Sequence, residues 1–175
     1  MAVDLKDARH TGNAERDAEA LLETVWSRGA PEPPLPVDPI FIAQELGIAV
    51  YTATLSDGVS GMLVKRAGED PQIYLQQSDH RNRQRFTCAH ELGHYVACGG
   101  SDTLEYVEHR ALLASQGTDI DEIYANQFAA ALLMPAAVVR SRWPERPQPA
   151  LLAYDFGVSA DAMSFRAGNL KLTRQ

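Results

Sequence analysis

The chain has 175 residues, 45% hydrophobic and 22% charged, which suits one globular domain with its own core. A net charge of −7 and a pI near 5.2 exclude broad electrostatic binding to nucleic acid or to an anionic membrane surface. No run reaches the roughly 18 apolar residues of a membrane span, and the polar start "MAVDLKDARHTGNAERD" lacks the apolar centre of a signal peptide, so a cytoplasmic protein is expected.

Residues 1–13 read as a flexible tail and 14–175 as a single domain whose end, from about 150, is helical. In "AERDAEALLETVWSRG", Ala18, Leu21, Leu22, Val25 and Trp26 share one helical stripe, and Gly29 is a stop signal. "APEPPLPVDP" is too rich in proline for a helix or a central strand and reads as an extended connector. Asp38 and Pro39 then supply the cap and first turn of a short helix that Gly47 ends. Three strand candidates follow, "IAVYTATL", "VSGMLVKRA" and "QIYLQQ", joined by "SDG" and "GEDP" turns. Their short connections predict an antiparallel three-stranded meander. Beyond Asp79 the pattern becomes helical. "HRNRQRFTCAHELGHYVAC" places Phe86, Ala89, Leu92, Gly93 and Val96 at helical spacing before Gly99-Gly100. Cys88 and Cys98 fall on this one helix, about 15 Å apart, too far for a disulfide; both are expected as free thiols. The polar stretch 101–118 is expected to hold a short helix around "LEYVEHRALLA". "TDIDEIYANQFAAALLMP" reads as a strong helix capped by Thr118 or Asp119 and ended at Pro135. "RWPERPQP" is a second proline-rich joint, and two small helices around Gly157 complete the chain. The expected fold class is α+β: a small three-stranded antiparallel sheet on a long helix, with further helices C-terminal to it.

That long helix contains His90-Glu91-Leu92-Gly93-His94, a match to H-E-x-x-H. Histidines four apart share a helix face, so both imidazoles can reach one ion, and Zn²⁺ is the usual occupant of such a pair. Glu91 is angled to meet a water on that ion and take its proton. Five residues with three fixed are a weak signal alone. It is strengthened because the histidines lie on the apolar stripe, with the small residues Ala89, Gly93 and Ala97 leaving room around them.

A catalytic zinc needs a third protein ligand. The metzincin pattern would place Gly at 97 and His at 100, but these are Ala97 and Gly100, so the ligand must come from later in the chain. The candidates are Glu105, Glu108, His109, Asp119, Asp121 and Glu122. Glu122 is best placed, because Ala125 and Ala129 follow it on a face small enough for close helix packing. Spacing alone leaves it open between a ligand and a solvated first-turn acid favoured by the helix dipole. Asn126, one turn on, is positioned to hold a ligand imidazole. Candidates for stabilising a developing oxyanion are Tyr124, His109, Tyr95 and Arg85, and the sequence does not choose among them.

"RNRQRFTCAHELGHYVAC" followed by "DEIYANQFAAALLMP" closely resembles the ImmA/IrrE family of metallopeptidases. The resemblance extends in outline from residue 36 to 172. It implies a zincin-like fold of gluzincin type with Zn²⁺ held by His90, His94 and Glu122, and with Glu91 as general base; Mn²⁺ is the alternative metal. It also implies a protein partner, a helix-turn-helix repressor of the XRE type whose cleavage relieves repression in a stress or mobile-element response. There are two departures. Separate DNA-binding and sensory domains found in some members are not evident, so a minimal form is expected. Arg166-Ala167 also stands where the family more often has Arg-Leu.

Three further readings follow from the residues. "QIYLQQ" is a candidate edge strand for pairing with an extended substrate. The basic run His80, Arg81, Arg83 and Arg85 is a solvated approach to the helix or a dock for an acidic partner. "LLAYDFGVSADAMSFRAGNL" has the form of a helix-turn-helix but a single arginine in its second helix; no direct nucleic-acid binding and no membrane partner are expected. The rival to an enzyme is a non-catalytic anti-repressor that sequesters its regulator. The oligomeric state is not readable.

Overall fold

The computed structural model describes residues 11–99, 104–109 and 120–173. Among these, seven α-helices accompany one four-stranded sheet. Helix α1 (Ala14–Leu21) starts where the Asn13 side chain accepts from the Arg16 amide, and it runs on into a π-helical turn, Leu22–Ser27. Its stripe Ala14, Ala18, Leu21, Leu22 and Val25 is buried. Thr11, read from the sequence as tail, is tied to this helix by its amide and hydroxyl, both of which donate to Asp17. Helix α2 (Pro39–Glu45) has the expected start, with the Asp38 carboxylate accepting from the Ile40 and Phe41 amides.

The strands are β1 (Ala49–Ala53), β2 (Val59–Lys65), β3 (Gln72–Gln76) and β4 (Leu104–His109), in the spatial order β1-β3-β2-β4. The mixed α+β class is as expected, but the sheet is not a three-stranded meander. β1 pairs with β3 in parallel, while β3–β2 and β2–β4 are antiparallel. The cause lies in burial: β3 carries Ile73 and Leu75, both fully buried, so it takes an inner position, whereas β1 is half-exposed and suits an edge. Of the segment 104–114, expected to hold a short helix, the described residues 104–109 form the fourth strand. "LEYVEH" has no strict alternation, but it centres on the aromatic Tyr106 and β-branched Val107, which favour a strand, and its backbone pairs with β2. β3 therefore has neighbours on both sides and cannot be the substrate-pairing edge; among the described residues the edges are β1 and β4.

Helix α3 (Arg81–Ala97) crosses the inner face of the sheet and is the hub of the molecule. Buried Arg85 fastens it to distant segments, donating to the carbonyls of Val37 (2.6 Å), Gly157 (3.0 Å) and Phe156 (3.3 Å). Helices α4 (Ile120–Leu133), α5 (Ala136–Arg142), α6 (Pro149–Phe156) and α7 (Ala160–Asn169) follow, with Gly157 at φ 62° turning the chain between the last two. The Thr118 or Asp119 cap expected for α4 lies outside the described residues. α4 lies between α3 and α1, with Phe128, Ala129, Leu132 and Leu133 fully buried. No single helix among the described residues is long and apolar enough to cross a membrane. Neither cysteine is in a disulfide, and burial, then Glu91 and Asp38, push the Cys88 thiol upward.

Candidate metal centre

Two glycines define how α3 is seated. A Cβ at Gly93 would lie 2.9 Å from the Ala125 Cα and 3.2 Å from the Ala125 carbonyl oxygen. Backbone therefore meets backbone where α3 crosses α4, as the small residues at 93 and 125 permit. On the sheet side a Cβ at Gly61 would lie 2.3 Å from the Thr87 Cγ2 and 3.2 Å from a Glu91 carboxylate oxygen. The β2 register shifts between Val59 and Gly61, and such an irregularity re-aims the strand locally. α3 is thus seated closely on both sides, through its own Gly93 against α4 and against Gly61 of β2.

The close α3–α4 crossing brings Glu122 onto the histidines. His90 Nε2 and His94 Nε2 are 3.0 Å apart, and the Glu122 carboxylate lies 3.3 Å from the first and 3.2 Å from the second. Both imidazoles are buried, and the Glu122 side chain is 20% exposed. His90 Nδ1–H donates to Asn126 Oδ1 over 3.1 Å, which leaves the Nε2 lone pair directed at the same spot. Hydrogen bonding with His90 holds the Glu122 carboxyl below its ordinary range despite partial burial, with the charges of both histidines and a bond to His94 adding to the effect.

These residues fit a metal. Their donor atoms all lie within 4.8 Å of one another; the imidazole nitrogens are 3.0 Å apart, with one carboxylate oxygen of Glu122 near each at 3.2 and 3.3 Å, close to the roughly 3.3–3.4 Å between ligands of a tetrahedral ion with bonds of about 2.0–2.1 Å. Two imidazoles with one carboxylate is a donor set of catalytic zinc sites, and an imidazole whose second nitrogen is fixed by a hydrogen bond is the form that ligates. Glu91, fully buried beside His90, lies in the α3–β2 seam.

The other candidates lie elsewhere. The Tyr124 hydroxyl donates to Asp17 on α1 over 2.7 Å, and burial together with Asp17 raises its pKa far above the ordinary phenol value. This places the hydroxyl on the side of α4 that meets α1. His109 closes β4 opposite Val59, and its side chain lies outside what is described. Arg85 is consumed by its three carbonyl acceptors, so it has no reach toward an oxyanion. Burial, with Asp70 second, raises the Tyr95 phenol. Arg83 reaches Ser60 in β2 at 3.5 Å. In the helix-turn-helix-like pair α6–α7, Arg166 is buried and donates to the Met134 carbonyl and to both oxygens of Glu15. The residue that would have to contact a phosphate is committed to the fold. Sequence reasoning missed the roles of Asp17, Gly61 and Arg166; only Gly61 carried a local signal, a glycine inside a strand.

The Peptidase_M78 family model, described as the IrrE N-terminal-like domain, matches residues 43–167. Over 98 residues the chain is 36% identical to the radiation response metalloprotease IrrE of Deinococcus radiodurans. That match covers 50% of this chain and 30% of the relative's length.

Proposed function

Because the chain belongs to the Peptidase_M78 family of IrrE N-terminal-like domains, we propose that it is a zinc-dependent endopeptidase, with His90, His94 and Glu122 as ligands and Glu91 as general base. The observation that carries the reading is the convergence of two imidazole nitrogens and a carboxylate within 3.0–3.3 Å, with Glu91, next to His90 in α3, fully buried against β2. A zinc ion held there supplies Lewis acidity, polarising a peptide carbonyl and bringing a water's pKa toward about 7.

The chain's own groups do the rest. Asn126 fixes the His90 tautomer and ring orientation. Glu91 takes the proton of the attacking water at its carboxylate and returns it to the departing amine nitrogen as the C–N bond breaks. The sheet and the two helices shut bulk water away from Glu91 and the imidazoles, while the exposed side of Glu122 marks where a peptide enters. Mn²⁺ is the alternative occupant.

The substrate we propose is a helix-turn-helix repressor, cut to release transcription; this extends to the chain what its family implies. Incubating the protein with a candidate repressor, with and without chelator, tests it. Discrete fragments that disappear with chelator or with Glu91→Gln support the reading. A stable complex with no fragments would instead make the chain an anti-repressor that sequesters its target. Buried, intact Glu91 favours cleavage, because sequestration needs no base.

A further inference from the structure

Glu122 is the weak member of the ligand set in mechanical terms. It is the third residue of α4, in a first turn whose amides lack intrahelical acceptors, and helix ends open more readily than helix centres. The histidines sit well inside α3 and are buried. A ligand that ordered only when metal arrived would reduce affinity by the fraction of time it is misplaced, so whatever docks that first turn sets how well the site is formed beforehand.

Tyr124 lies two residues past Glu122, roughly 200° around the helix, so the two side chains leave the same turn on opposite faces. Glu122 faces α3. Tyr124 is 8% exposed, its ring stacks against Phe128 with centroids 6.2 Å apart, and its hydroxyl donates to Asp17 over 2.7 Å. Asp17 is itself 6% exposed and fixed in place by the Thr11 amide and by the Thr11 hydroxyl at 2.6 Å. At the far end of α4, Arg166 joins the Met134 carbonyl to Glu15, also on α1. α1 thus holds α4 at both ends, and it lies outside residues 43–167, the stretch that the family model matches.

We propose that Tyr124 and Asp17 are a positioning pair: their hydrogen bond docks the first turn of α4 on α1 and so presets Glu122 for the metal. The proposal rests on Glu122 being the third ligand. A turn docked in only about one molecule in ten would weaken apparent metal affinity about tenfold. The pair does not touch substrate or metal, so its signature is the affinity of the site and not its chemistry.

The test is competition for Zn²⁺ between the full chain and a chromophoric chelator, with thermal unfolding in parallel. Tyr124→Phe, which keeps the ring and removes the hydroxyl, should weaken zinc binding about tenfold. Asp17→Ala should do the same, the double variant should lose no more than either single one, and Asp17→Asn, which retains an acceptor, should lose less. Ile48→Val, a core truncation on the α2–β1 side, should lower Tm while leaving zinc affinity unchanged. If Tyr124→Phe lowers Tm but binds zinc as tightly as the parent, or if Ile48→Val weakens binding equally, the pair is structural only and the proposal falls. Should Tyr124→Phe not fold, the order Asp17→Ala weaker than Asp17→Asn decides, equal affinities overturning the idea. Failure of the underlying reading looks different: Glu122→Gln and His94→Ala would then bind zinc as well as the parent.

Discussion

Replacing Gly93 with alanine separates packing from helix propensity, because the two predict opposite signs. Propensity alone favours alanine in a helix by about 1 kcal/mol. At Gly93 the new Cβ would lie 2.9 Å from the Ala125 Cα and 3.2 Å from the Phe128 Cβ, against an optimal carbon–carbon separation of roughly 3.5–4.0 Å. The nearest obstacle is backbone, so no rotamer change relieves it and the helices must separate. Overpacking of this kind costs about 1–3 kcal/mol, which exceeds the propensity gain and leaves a net loss of about 1 kcal/mol. A chain of this length loses roughly 2–4 °C in Tm per kcal/mol. Separation also lengthens the 3.2 and 3.3 Å contacts from Glu122 to the histidines, so zinc affinity should fall together with Tm. Gly168, exposed on α7 with nothing nearer than 4.0 Å to an added Cβ, is the control: Gly168→Ala should leave Tm unchanged or raised. Thermal unfolding in chelator followed by competitive zinc titration measures both quantities. A Gly93→Ala variant as stable as the parent, with equal zinc affinity, would refute the claim that this backbone contact places the third ligand.

Glu91→Gln should keep zinc stoichiometry by elemental analysis while lowering peptide hydrolysis by about 10²–10⁴-fold, the usual contribution of a general base. Asn126→Ala should weaken zinc binding by about 10–100-fold, read by chelator competition, since it frees the His90 tautomer. Gly61→Ala should impair turnover at unchanged zinc content, because the added methyl meets Thr87 and a Glu91 oxygen; a combined metal assay and rate measurement checks it. Thiol titration at neutral pH should modify Cys98 alone, with Cys88 reacting after denaturation, since burial both hides its thiol and pushes its pKa up.

What was legible in the sequence was local. Helix periods, the Asp38 cap and the glycine stops are written in neighbouring residues, and so is the one-face arrangement of His90 and His94. Glu122 was readable as a candidate because Ala125 and Ala129 advertise a close-packed face. The sheet order was not readable, since which strand lies inside depends on what covers each face, and β1 and β3 look alike as short apolar runs. "LEYVEH" has no strict alternation, so its local pattern does not separate strand from helix, and pairing with β2 is what decides for the strand. Tyr124 could be named near the site but not given its partner, because Asp17 is 107 residues away and no local pattern links them.

The two buried arginines show that similarity and folding draw different borders around this domain. A fragment trimmed to residues 43–167 would retain His90, Glu91, His94 and Glu122, and so would look complete by its chemistry. It would also strip Arg85 of the Val37 carbonyl and Arg166 of Glu15, leaving two guanidinium groups underpaired in the interior, a defect costing several kcal/mol. The smallest piece that satisfies its own buried charges is therefore larger than the piece that carries the motif.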